Sequence, residues 1–182
     1  MAEIDFDRTR SVLEAASFAA RAHRHQLRKD GATPYTAHPF RVCLIVRHVF
    51  GIDDPDVLTA ALLHDTIEDT TTDCDDLIKQ FGPRVAGWVA ALTKDKRLPD
   101  DEREAAYMAT LAASDPEVKI AKLADMFDNL SDCRHLSAAQ CQRSVGRSRN
   151  YLAALSRDLP DTARRPYELV RQLLDEVAAS VG

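Results

Sequence analysis

A chain of 182 residues, 45% hydrophobic and 29% charged, has the length and composition of one soluble globular domain with a sizeable core. A net charge of −5 argues against the basic stripe of a nucleic-acid binder, and no stretch reaches transmembrane length, so neither partner is expected. The N-terminus lacks an apolar signal core, and Cys43, Cys74, Cys133 and Cys141 form no C-x-x-C pair, so reduced thiols and a cytoplasmic location are expected.

Helical spacing runs from about Ile4 to His25, with Val12, Leu13, Ala16, Ala19 and Ala20 as the expected buried stripe. Gly31 and Pro34 mark the following stretch as a loop, in which Arg28 and Lys29 place two cations. His38-Pro39 opens a helix from Phe40 to Phe50, closed by Gly51, with His38 expected at the N-cap.

Asp54-Pro55 is a strong helix-start signal, an acidic cap followed by proline at the first helical position. The helix it starts is apolar nearly all round through Ala60-Ala61-Leu62-Leu63 and continues into His64, Asp65, Ile67, Glu68 and Asp69. His64 and Glu68 are four residues apart, as are Asp65 and Asp69, so each pair shares a side. A helix apolar all round is buried, and buried carboxylates are costly unless paired or bound to a metal. The alternative is a helix whose end emerges into solvent, with acids that are simply hydrated.

Thr70 to Asp73 form a turn, after which Leu77, Ile78 and Phe81 read as a short amphipathic helix stopping at Gly82. Pro83 begins another through Val85, Trp88, Val89 and Leu92, with Trp88 in the core, and a charged connection leads to a helix capped by Asp100 or Asp101. Asp115-Pro116 starts a helix extending to about Arg134. Its apolar face holds Ile120, Leu123, Ala124, Met126, Phe127 and Leu130, and Asp125, Asp128, Asn129 and Asp132 fall opposite. By periodicity that acidic face reads as an ordinary solvent face; the alternative is that it lines a cleft and offers a carboxylate to a metal. Ser137 caps a helix through Tyr151 and Leu155, and Arg164-Arg165-Pro166 precedes a last one from Tyr167 to Val177. No segment alternates with period two, so the expected fold is all-α, nine or ten helices forming a single domain over residues 1–182.

His38, His64, Asp65 and Asp125 are the candidate metal ligands, drawn from three helices. Two imidazoles with two carboxylates suit Mn²⁺, Fe²⁺ or Zn²⁺, and the hard oxygens favour Mn²⁺. Their order, H…HD…D, resembles the signature of the HD superfamily of metal-dependent phosphohydrolases. The loop from Arg28-Lys29-Asp30-Gly31 to Tyr35-Thr36-Ala37-His38-Pro39 resembles that family's basic loop ending in His-Pro. Ala61-Leu62-Leu63-His64-Asp65-Thr66-Ile67-Glu68-Asp69-Thr70 is similar to its A-L-L-H-D-x-x-E-D-T, and Lys122-Leu123-Ala124-Asp125 with Asn129 to its K-L-A-D-x-x-x-N. These motifs resemble the hydrolase domain of RelA/SpoT proteins, and most of all the free-standing small alarmone hydrolases. The length leaves no room for the synthetase and regulatory domains of the long members, so a hydrolase-only protein is expected.

The resemblance implies hydrolysis of the 3′-pyrophosphate from a purine alarmone, (p)ppGpp or (p)ppApp, giving pyrophosphate and the nucleoside 5′-di- or triphosphate. It implies one Mn²⁺ on His38, His64, Asp65 and Asp125, with Glu68 and Asp69 activating water. Arg28, Lys29, Lys96, Asn129, Arg147 and Tyr151 are the implied substrate contacts. The partner is then a small nucleotide, and a homo-oligomer is compatible with the sequence. Met126, Asp128 and Ser131 depart from the family pattern, where basic or neutral ring residues are usual, and predict an acid gained beside the nucleoside site. Two other readings remain open: a phosphatase acting on NADPH or another phosphomonoester, and a silent nucleotide-binding module.

Overall fold

A computed structural model describes residues 6–181 of the chain, and the expected helix start at Ile4 lies outside them. Among the described residues the fold is helical without a strand, the one extended pairing being an isolated antiparallel bridge between Leu27 and Pro34. Its helices are α1 (Phe6–Ala22), α2 (Ala37–Leu44), α3 (Pro55–Leu63), α4 (Thr66–Asp69), α5 (Cys74–Leu92), α6 (Asp100–Ala113), α7 (Pro116–Ser131), α8 (Ala138–Leu155) and α9 (Asp161–Val181).

Two helices form the centre. α3 buries Val57, Thr59 and every residue from Ala60 to Leu63, and packs against α1, α2, α5 and α7. α7 is buried on all sides from Val118 to Met126, including Lys119, Lys122 and Asp125. α9 covers α7 from outside. On the acidic side of α7, Asp125 and Asn129 line a cleft and Asp128 is fully buried.

Several boundaries differ from the sequence expectation for local reasons. The helix begun by Asp54, whose side chain accepts from the Asp56 and Val57 amides, does not run on to Asp69. His64 Nδ1 donates to the Ala61 carbonyl at 2.8 Å and Thr66 Oγ1 to the Leu63 carbonyl at 2.7 Å, so side chains take the carbonyls that would continue the helix. The chain breaks at His64-Asp65 and restarts as α4. His38 is not an N-cap: Thr36 holds that position, and His38 is the second residue of α2, buried to 2% exposure. Ala37 and His38 amides bond back to Pro34 and Tyr35, which starts the helix early. After α2 the backbone widens into a π-helical turn over Ile45–Val49, closed by Gly51 at φ +75°.

α5 kinks at Gly82, whose φ of +82° ends one helical run before Pro83 begins the next. α6 starts at Asp100 with Pro99 in the cap position, so Asp100 and Asp101 sit in the first turn and interact with the helix dipole without capping it. α9 starts at Asp161, where Arg164 pairs with Asp161 across the first turn, and Pro166 is inside the helix. Leu13, at 66% exposure, and Ile78, at 42%, leave the apolar stripes expected of them, and Ala15 takes the buried place on α1.

Candidate metal centre and nucleotide cleft

The break after Leu63 turns two consecutive side chains toward one point. His64 Nε2 lies 3.0 Å from Asp65 Oδ2 and 3.2 Å from His38 Nε2, which reaches in from α2. His38 Nε2 is in turn 3.4 Å from Asp65 Oδ2 and 3.2 Å from Asp125 Oδ1 on α7. Ligand atoms of His38, His64 and Asp65 all fall within 4.8 Å of one another, and Asp125 Oδ1 closes the set at 3.8 Å from His64 Nε2.

The outer nitrogens of both rings are engaged. His64 Nδ1 donates to the Ala61 carbonyl, and His38 Nδ1 lies 2.7 Å from Asp128 Oδ2. The Ala61 carbonyl only accepts, so His64 Nδ1 carries a proton, and the Nε2 atoms of both rings point to one spot between two carboxylates. A cation or a shared proton at that spot offsets the carboxylate charge. The donor set, two imidazole nitrogens and two hard oxygens, fits a divalent first-row ion.

Charge follows the same geometry. Burial disfavours ionised Asp65 and Asp125, but the His64 and His38 rings, and Lys122 for Asp125, outweigh it, and both carboxyls titrate below the usual range. Lys122 Nζ lies 2.7 Å from Asp125 Oδ2, and Asn129 Nδ2 donates to Asp125 Oδ1 at 2.5 Å. Tyr35 donates its hydroxyl to Asp65 Oδ2 at 2.5 Å, and burial with the nearby acids pushes its pKa far upward. Glu68 is pushed up by burial and by the charges of Asp65 and Asp69, while the Lys94 amide, donating to Glu68 Oε2 at 2.9 Å, pulls the other way.

These groups border a cavity of about 470 Å³. Of the sequence-predicted residues, His38, His64, Asp65, Asp125, Glu68 and Asp69 stand on its wall, as do Arg28, Lys29, Asn129, Arg147 and Tyr151. Lys96 is not on that wall. It binds Asp69 Oδ1 at 2.7 Å and the Glu68 carbonyl at 2.6 Å, and so holds the acid pair. Arg28 has its charge engaged by Asp132 at 2.5 Å and Asp128 at 3.4 Å. Tyr151 is buried, gives its hydroxyl to Glu104 at 2.7 Å, and packs edge-on to Tyr107.

Asp128 corrects the expectation of an acid beside the nucleoside site. It is fully buried behind His38, away from the cavity wall, with Arg41 Nε 2.6 Å from Oδ1. Ser131 also turns away, bonding the Phe127 carbonyl, and of the three departures only Met126 lines the cleft. Tyr35, Lys94, Lys122 and Arg143 also line the cavity, beyond the residues expected from sequence. Lys122 stands three residues before the candidate ligand Asp125 on the same side of α7, and Tyr35 sits in the turn that leads into α2 and His38. Lys94 and Arg143 carry no comparable signal.

The HD domain family matches residues 15–152. The chain belongs to the HD domain family. Guanosine-3′,5′-bis(diphosphate) 3′-pyrophosphohydrolase MESH1 of Mus musculus is 40% identical over 167 residues, 91% of this chain and 93% of that protein. The guanosine-3′,5′-bis(diphosphate) 3′-pyrophosphohydrolase of Aquifex aeolicus is 38% identical over 122 residues, 65% of this chain and 17% of that protein. A solved structure of a metazoan ortholog of SpoT that hydrolyses ppGpp superimposes with a TM-score of 0.81 at 33% identity, covering 94% of this chain and 96% of the other. The HD fold thus accounts for the helical layout around α3 and α7.

Proposed function

We propose that this protein is a Mn²⁺-dependent hydrolase that removes the 3′-pyrophosphate from a purine alarmone, (p)ppGpp or (p)ppApp. The observation that carries the reading is the meeting of His38, His64, Asp65 and Asp125 within 3.8 Å contacts on a cavity wall that also holds Glu68 and several cations. The two similar proteins named as 3′-pyrophosphohydrolases support the choice of reaction. A cavity of about 470 Å³ is of a size that holds a small molecule.

Held by the two imidazoles and two aspartates, a divalent ion supplies Lewis acidity that offsets phosphoryl charge and makes water more acidic. Glu68 then takes the proton of the attacking water, a role suited to a half-buried carboxyl whose pKa is raised. Lys96 keeps Asp69 in place beside it. Lys94, Lys122, Arg143 and Arg147 on the cavity wall offset the charge of the bound phosphates. Water's oxygen joins the phosphorus, the bond from that phosphorus to the ribose 3′-oxygen breaks, and the proton passes to the departing 3′-oxygen.

Purified protein incubated with Mn²⁺ and ppGpp, pppGpp, ppApp, pppApp or NADPH will release intact pyrophosphate from an alarmone, and chelation will stop it. Orthophosphate released from NADPH, with the alarmones untouched, would replace this reading by the phosphomonoesterase one.

A further inference from the structure

Behind His38 four charged residues meet, with Arg28 reaching in from the cleft wall. Asp128 Oδ2 lies 2.7 Å from His38 Nδ1, and Arg41 Nε is 2.6 Å from Asp128 Oδ1. Arg41 Nη1 also reaches Asp132 Oδ1 at 2.8 Å. Arg28 Nη2 joins both acids, at 2.5 Å from Asp132 Oδ2 and 3.4 Å from Asp128 Oδ2. Asp128 has no exposed surface, so its charge depends on these partners. Asp132, the C-cap of α7, lies one turn after Asp128, and His38 and Arg41 are one turn apart on α2, so the end of α7 and one face of α2 meet to build the cluster.

We propose that Asp128 is a positioning residue for the metal centre, fixing His38 with its proton on Nδ1 and its Nε2 lone pair toward the ion, while Arg41 and Arg28 hold the carboxylate. The inference rests on the metal reading above. A histidine ligand takes its tautomer and ring angle from the acceptor on its other nitrogen, and a carboxylate acceptor also raises the ring's basicity. His64 has only the Ala61 carbonyl in that place, so the two imidazoles are held by acceptors of unlike charge. Arg28, engaged by Asp128 and Asp132, then serves the ion through this cluster more than it serves the phosphates.

The test is Mn²⁺ titration followed by electron paramagnetic resonance on wild type, Asp128→Asn, Arg41→Met and Arg41→Lys, with nitrogen-15 spectra of the wild-type histidines loaded with diamagnetic Zn²⁺. Asp128→Asn is expected to raise the Mn²⁺ Kd by about ten- to hundredfold in a protein whose circular dichroism still reports the folded state. Arg41→Met will weaken binding in the same direction, and Arg41→Lys, which keeps the charge, will restore much of it. Wild-type His38 will carry its proton on Nδ1. Unchanged Mn²⁺ affinity in folded Asp128→Asn overturns the proposal, as does a wild-type His38 protonated on Nε2, a result that decides even if the variant fails to fold. Wild type that binds no Mn²⁺ at all would instead overturn the metal reading, and this inference with it.

Discussion

At the residue scale the site is defined by two imidazole nitrogens 3.2 Å apart that have their opposite nitrogens already engaged. Asp65 and Asp125 complete a donor set, while Glu68 stands next to it with its carboxylate tied to the Lys94 amide and not to the imidazoles. This separation predicts a split between binding and turnover. Glu68→Gln will keep Mn²⁺ affinity and lower kcat by about 10²–10⁴, the range typical of a lost general base. Isothermal titration beside steady-state kinetics reads both quantities, and full turnover in the variant would remove Glu68 from the role. Asp65→Ala, by contrast, will lose both, because it deletes a ligand.

At the element scale, what matters is where helices stop. Had α3 run on without interruption, His64 and Asp65 would stand about 100° apart around it. The break made by the His64 and Thr66 side chains brings both to the same point. Gly82 is a second stop. Its φ of +82° and ψ of +164° belong to a region that only glycine occupies readily, and nothing lies within 4 Å of an added Cβ. Gly82→Ala will therefore cost about 1–3 kcal/mol from backbone strain alone, measured by denaturant unfolding; a loss near zero would mean that the kink is not held as described. The Asp54-Pro55 start, the Gly82-Pro83 kink and the Ser137 cap were legible in sequence because each has a local chemical signature. The α3 break was not, since it depends on where a histidine and a threonine find acceptors. Periodicity also could not say that the acidic side of α7 faces a cleft, because that is decided by α2 and α3 packing against it. The meeting of His38, His64, Asp65 and Asp125 was legible through their motifs, while Lys94 and Arg143 reach the cavity only through tertiary structure.

At the scale of the whole molecule, α2 and α7 are joined by ion pairs as well as by apolar packing. Burial disfavours a charged Asp132, but its bonds to Arg28 and Arg41 outweigh that and hold its pKa below 3.8. A carboxyl depressed in the folded state stabilises above its unfolded value and loses that contribution as pH falls through the folded one. Wild type will thus be more stable than Asp132→Asn at neutral pH, and the gap will close as pH falls below about 3.8. Thermal unfolding across that range checks it; a gap independent of pH would assign the effect to packing. The same helices carry the central claim, that side chains from α2, the turn after α3, and α7 hold one ion. Anomalous diffraction at the manganese edge from Mn²⁺-loaded crystals tests it most directly. A single peak bonded to His38 Nε2, His64 Nε2, Asp65 and Asp125 is the predicted result. A peak elsewhere, or none in crystals of active protein, would contradict it.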